Sequence, residues 1–154
     1  MQTLRPNDFY LGEDAPCTVE HSSVLKVAMP FSGDAVISAF VRPPINWDGS
    51  PASVTVIYSN GSVGESETTS ANNIRLESFP PAPGNGNSSQ GSPSTISAIT
   101  GPSGPAFIPA TGTVSAPEGY TEGDDVLLVI EQNTTLTTDT FSQRIVAVTI
   151  DFAN

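Results

Sequence analysis

Apolar and polar residues alternate along much of this chain, with the two-residue period of strands that bury one face. Residues 52–58 (ASVTVIY) set Val54, Val56 and Tyr58 against Ser53, Thr55 and Ile57. Residues 35–42 (AVISAFVR) place Val36, Ser38 and Phe40 on one face. Shorter runs at 24–31, 74–79, 95–100 and 106–114 also read as strands, with Ile74 and Leu76 expected inward. The strongest pair closes the chain. Residues 124–131 read DDVLLVIE and 141–152 read FSQRIVAVTIDF. In the second of these, Ile145, Val146 and Ala147 come in succession before Val148, Ile150 and Phe152 fall two apart. Turn signals separate the runs: Ser32-Gly33-Asp34, Pro43-Pro44, Asp48-Gly49, Asn60-Gly61 and Pro117-Glu118-Gly119. No helical period outlasts a turn, which leaves room only for a short helix within 5–15 or 132–139.

About eight antiparallel strands, each with one wet face, must stack into two sheets or close into a barrel. The pattern therefore predicts an all-β protein, an antiparallel β-sandwich of jelly-roll type with long loops. Residues 1–22 lack a clear period and read as an N-terminal arm. Residues 23–154 read as a single domain with a Pro/Gly/Ser-rich loop at 80–93 (PPAPGNGNSSQGSP). That loop is not a domain boundary, because the part after it is too short to bury a core of its own.

Composition narrows the partners. The 154 residues include 13 glycines and 14 prolines, and only 14% are charged, against a typical ~25%. The β-branched runs are still too strong for a wholly disordered chain. The net charge is −11, from 16 acids and five basic residues, Arg5, Lys26, Arg42, Arg75 and Arg144. The basic residues never cluster in sequence, so neither nucleic acid nor an anionic membrane is expected as a partner. No apolar run approaches the ~18 residues of a membrane span. The first residues lack the pattern of a secretory signal. The single cysteine, Cys17, allows no internal disulfide. A domain made and folded in the cytosol is the expectation.

Candidate chemistry is sparse. His21 is the lone histidine, and no Gly-x-Ser-x-Gly elbow accompanies it. Cys17 has no basic neighbour in sequence to lower its pKa. Glu65 with Glu67, or Glu118 with Glu122, could form the carboxylate pair of a glycosidase, although the stretch around Glu65 and Glu67 has no aromatic platform for a sugar. Glu122, Asp124 and Asp125 gather acids where a calcium ion could bind, although a strand start is an ordinary place for solvated charge. Asn60, Asn87 and Asn133 begin glycosylation triplets that matter only on a secreted protein. Trp47, the one tryptophan, is either a ligand platform or, more simply, a plug beneath the Asp48-Gly49 turn. No catalytic residue, metal ligand or cofactor is assigned.

The order of several short motifs resembles a group of small bacteriophage virion proteins. The motifs are Ala28-Met29-Pro30-Phe31, Asn46-Trp47-Asp48-Gly49 before VTVIYS, Gly123-Asp124-Asp125 before VLLVIE, Thr138-Asp139-Thr140, and the closing RIVAVTIDF. The likeness covers residues 24–79 and 122–152. Ala147 stands where glycine is expected in the closing strand, and Ser59 where a bulkier residue is expected. The resemblance implies a non-enzymatic, structural β-sandwich on the virion. It would be a capsid cement or decoration protein that binds the major capsid protein and associates with itself, as a trimer. Leu4, Phe9, Tyr10 and Leu11 of the arm would then be the partner contacts. The alternative is a receptor- or carbohydrate-binding module of a tail fibre or spike. A jelly-roll glycosidase is a third class.

Overall fold

The alternating runs become strands in the computed structural model, which describes residues 1–11, 20–22, 26–30, 36–59, 68–78, 90–100, 107–133 and 144–152. Eleven strands are present among the described residues: β1 (Gln2–Leu4), β2 (Tyr10–Leu11), β3 (Glu20–Ser22), β4 (Lys26–Pro30), β5 (Val36–Val41), β6 (Ala52–Ser59), β7 (Thr68–Ser78), β8 (Ser94–Thr100), β9 (Phe107–Val114), β10 (Val126–Gln132) and β11 (Arg144–Asp151). They form two antiparallel sheets. The first has the order β3-β4-β11-β6-β9, with β1 also paired to β11. The second has the order β2-β5-β10-β7-β8. The main strands β4 to β11 correspond to the eight runs expected from sequence. The chain passes from one sheet to the other at every connection between successive described strands except β3 to β4 and β7 to β8, which is the wrapping of a jelly roll.

Alternation decides which face is buried. Ile37, Ala39 and Val41 of β5 turn inward, as do Val54, Val56 and Tyr58 of β6, and Ile74 and Leu76 of β7. Val126, Leu128 and Ile130 of β10 face Val148 and Ile150 of β11 across the core. Each such large side chain contributes about 1.5–3 kcal/mol by leaving water. The succession Ile145-Val146-Ala147 marks a β-bulge. Register with β6 shifts between Ile145 and Ala147, so Ile145 and Val148 both reach the interior despite their odd spacing. One polar pair is buried among these residues, the Tyr58 hydroxyl donating to Asn72 Oδ1.

Of residues 1–22, read from sequence as an N-terminal arm, Gln2–Leu4 and Tyr10–Leu11 pair as strands within this chain's own sheets. Pro6–Asp8 form a single 3-10 turn, and Phe9 N–H closes it onto the Pro6 carbonyl at 3.3 Å. The turn carries the chain from the first sheet, where β1 pairs with β11, to the second, where β2 pairs with β5. Leu4 and Phe9, expected to meet a partner, lie in this chain's own core at 4% and 7% exposure. The physical reason is strand parity: the residues on either side of the turn point into the gap between the sheets. Cys17, Glu65, Glu67, Asn60, Asn87, most of the 80–93 loop and the Thr138-Asp139-Thr140 connector lie outside the described residues.

Candidate functional site

The outer face of the second sheet gathers the most suggestive side chains. Because Ile37, Ala39 and Val41 face inward, Val36, Ser38 and Phe40 must face out. Edge strand β2 places Tyr10 directly opposite Ser38, one diagonal step from Phe40. The two rings meet edge to face, with centroids 5.7 Å apart and planes at 84°. Tyr10 is 59% exposed and Phe40 39%. Among the described residues this is the exposed aromatic pair, since Phe107 stands on the other sheet. Large rings left in water on a sheet face forgo burial that the core would reward, and such sites commonly meet ligands.

The floor beside the rings is built by register. Phe40 lies opposite Leu127, which lies opposite Glu77 on β7. Ser38 lies opposite Val129 and then Arg75. Val129 is 3% exposed although it points away from the core, because neighbouring side chains cover it. Arg75 Nε donates to Glu77 Oε1 at 2.7 Å, and its Nη1 donates to Glu131 Oε2 at 3.0 Å.

Beyond the end of β5, Arg42 reaches Asp125. Nε donates to Oδ1 at 2.9 Å and Nη2 to Oδ2 at 3.2 Å, a two-pronged pair. Hydrogen bonding to the Arg42 guanidinium holds the Asp125 carboxyl below the usual range, and the same bond raises Arg42. The Arg42 backbone N–H donates to Gln2 Oε1 at 3.4 Å, which ties β1 to this corner.

Two open depressions flank Phe40. One, of about 470 Å³, is lined by Gln2, Asn7, Asp8, Tyr10 and Phe40 among others. The second, of about 540 Å³, is lined by Gln2, Phe40, Val41, Arg42 and Asp125. An exposed edge-to-face ring pair thus stands between amide, carboxylate and guanidinium groups. That arrangement can hold the C–H face of a sugar ring while reading its hydroxyls.

The sequence candidates fall out differently. Trp47 is fully buried, with ring centroids 4.8 Å from both Tyr120 and Phe152, and its Nε1–H donates to the Ser50 carbonyl at 2.9 Å. It is the plug beneath its turn and offers no platform. Gly49 permits that turn with φ of 89°, where a Cβ would also stand 3.0 Å from Ala116 Cβ. Asp48 accepts from the backbone N–H and hydroxyl of Ser50, which lowers its pKa. Asp124 Oδ2 accepts from Thr121 N–H at 3.1 Å, while Asp125 turns to Arg42. Glu122, Asp124 and Asp125 do not converge, and no group of three potential metal ligands occurs among the described residues. Of the four arm candidates Leu4, Phe9, Tyr10 and Leu11, Tyr10 is the one whose side chain is described and exposed on this face, and Leu11 pairs through its backbone with Ile37. His21 pairs across to Val27 in β3–β4, on the first sheet. Sequence reasoning missed Phe40 as a site residue. The available signal was an aromatic ring on the polar side of an alternating strand.

No protein-family model and no curated protein matches the chain. Solved structures resemble its fold. The Xyl-CBM35 module, in complex with a glucuronic acid-containing disaccharide, aligns over 100% of this chain and 95% of its own, with a TM-score of 0.56 and 12% identity. The CBM22-2 xylan-binding domain of Paenibacillus barcinonensis Xyn10C aligns over 99% of each chain, with a TM-score of 0.58 and 12% identity. The CBM35 of Cellvibrio japonicus Abf62 aligns over 99% of this chain and 97% of its own, with a TM-score of 0.51 and 13% identity. These structural neighbours are carbohydrate-binding modules. At such identities the likeness is one of fold.

Proposed function

We propose that this domain is a carbohydrate-binding module and that it binds a saccharide on the outer face of the second sheet, across Tyr10 and Phe40. The observation that carries the reading is the exposed ring pair flanked by depressions lined with Gln2, Asn7, Asp8, Arg42 and Asp125. Binding is non-covalent and non-catalytic. One ring offers a face to a pyranose, and the polar rim exchanges hydrogen bonds with its hydroxyls. The fold shared with carbohydrate-binding modules supports the reading, and Tyr10 and Phe40 give it a location on this chain.

The resemblance to phage virion proteins bears on where such a module is displayed. On a particle it would serve adhesion, as a receptor-binding part of a tail fibre or spike. A cement role that uses the first residues as anchors has less in its favour, because Leu4 and Phe9 already fill this chain's core.

Affinity electrophoresis in gels containing soluble polysaccharides tests the reading, comparing the wild type with the Tyr10→Ala/Phe40→Ala double variant. Retardation by at least one polysaccharide, lost in the folded variant, is the expected result. Retardation that survives the double substitution would place binding elsewhere and sink this site.

A further inference from the structure

The charges around the ring pair indicate which class of saccharide it takes. Of the five basic residues, Lys26 and Arg144 belong to strands of the first sheet, and Arg5 lines neither depression. Arg42 and Arg75 remain on the face, and each is already matched. Asp125 holds Arg42 by both oxygens, and Glu77 and Glu131 hold Arg75 from two sides. Asp8, in the first depression, accepts from the neutral Arg5 backbone N–H at 2.7 Å. The face therefore sets the two arginines against four carboxylates, Asp8, Glu77, Asp125 and Glu131, on a chain of net charge −11.

An incoming carboxylate or sulfate would approach against that field. To find a cation it would have to take an arginine from its present partner and leave that partner uncompensated. A hydroxyl demands no such exchange. It can donate to Asp8 or to the Gln2 and Asn7 amide oxygens and accept from the amide N–H groups, while the ring stacks on the aromatic pair.

We infer that this face selects an uncharged saccharide and rejects uronates and sulfated sugars. The inference rests on the carbohydrate-binding reading and deepens it. Recognition through stacking and neutral hydroxyls, without a net charge attraction, makes affinity nearly independent of salt.

A glycan array carrying neutral, uronate and sulfated glycans tests this, read between ~0.01 M and ~1 M salt, where the Debye length falls from about 30 Å to about 3 Å. Neutral binders with unchanged signal across that range are expected. A uronate or sulfated glycan bound at low salt overturns the inference and leaves the carbohydrate reading standing. An array with no binder at all overturns both. A second test uses Asp125→Asn, which frees the exposed Arg42 without touching the core. Homogalacturonan and its methyl ester share a backbone and differ in charge. Asp125→Asn is expected to raise the ratio of retention on the acidic polymer to retention on the ester several-fold. No gain would overturn the claim that Asp125 closes Arg42 to anions.

Discussion

Tyr10 and Phe40 are far apart in sequence and meet through the pairing of β2 with β5. Each ring stands largely outside the core, and under the proposed function each offers stacking area to a ligand. Single alanine substitutions should each weaken saccharide binding about tenfold, equivalent to ~1.4 kcal/mol. Isothermal titration against a polysaccharide that binds the wild type checks this, and unfolding midpoints should move little. Trp47 is the opposite case. Enclosed by Tyr120 and Phe152, it should cost about 3–5 kcal/mol on Trp47→Ala in urea unfolding. Tyr58 carries a pH signature. Burial raises its pKa above the ordinary tyrosine value of about 10. The unfolded chain therefore releases that proton first, and stability present below that pH is lost as pH rises above about 10. Tyr58→Phe should flatten this alkaline decline. It should also cost about 1–3 kcal/mol near neutrality, because Asn72 Oδ1 loses its buried donor. Denaturant titrations at successive pH values read both effects.

Strand parity made most elements legible. The Val54, Val56 and Tyr58 face is buried as the alternation requires, and Ser53, Thr55 and Ile57 face away. The closing strand was legible apart from its bulge, since three consecutive apolar residues do not say which one is extra. Strands β1 and β2 were not legible as strands. At three residues and two, each is too short to show a period, and the Pro6–Asp8 turn lies between them. Cross-strand hydroxyls also hide in a sequence. Thr3, Thr149, Thr55 and Thr111 form one row across β1, β11, β6 and β9, and the last two hydroxyls lie 2.8 Å apart. Each such pair contributes about 0.2–1 kcal/mol. The seam between β8 and β9 gives a sharper prediction. A Cβ on Gly112 would stand 2.5 Å from Ile96 Cγ2 and 3.0 Å from Ser94 Oγ. Ile96 is buried and has little room to yield, so Gly112→Ala should destabilise by about 1–3 kcal/mol in urea unfolding.

At the scale of the molecule, two jelly-roll sheets divide the work. The first, anchored by β11, holds the N-terminal strand β1 and carries a face rich in threonine. The second carries the aromatic pair and its ion pairs on one face, and the two depressions lie beside Phe40 where β1 and the Pro6–Asp8 turn meet that sheet. The architecture could be read from the alternating runs, because each run carries its own evidence. The site could not, because it is assembled from a two-residue edge strand, the outward side of β5, and partners on β7 and β10. Tyr10 was legible only as an apolar residue of the arm, and Phe40 only as a ring on one face of its strand; Trp47 is the plug that its turn suggested. The central claim is that saccharide binds across Tyr10 and Phe40. The most direct measurement is amide chemical-shift mapping during titration with a neutral oligosaccharide that the glycan array identifies. The account predicts shifts concentrated at Gln2, Asn7, Tyr10, Phe40, Arg42 and Asp125. Shifts confined to the first sheet, with those six unmoved, would contradict it.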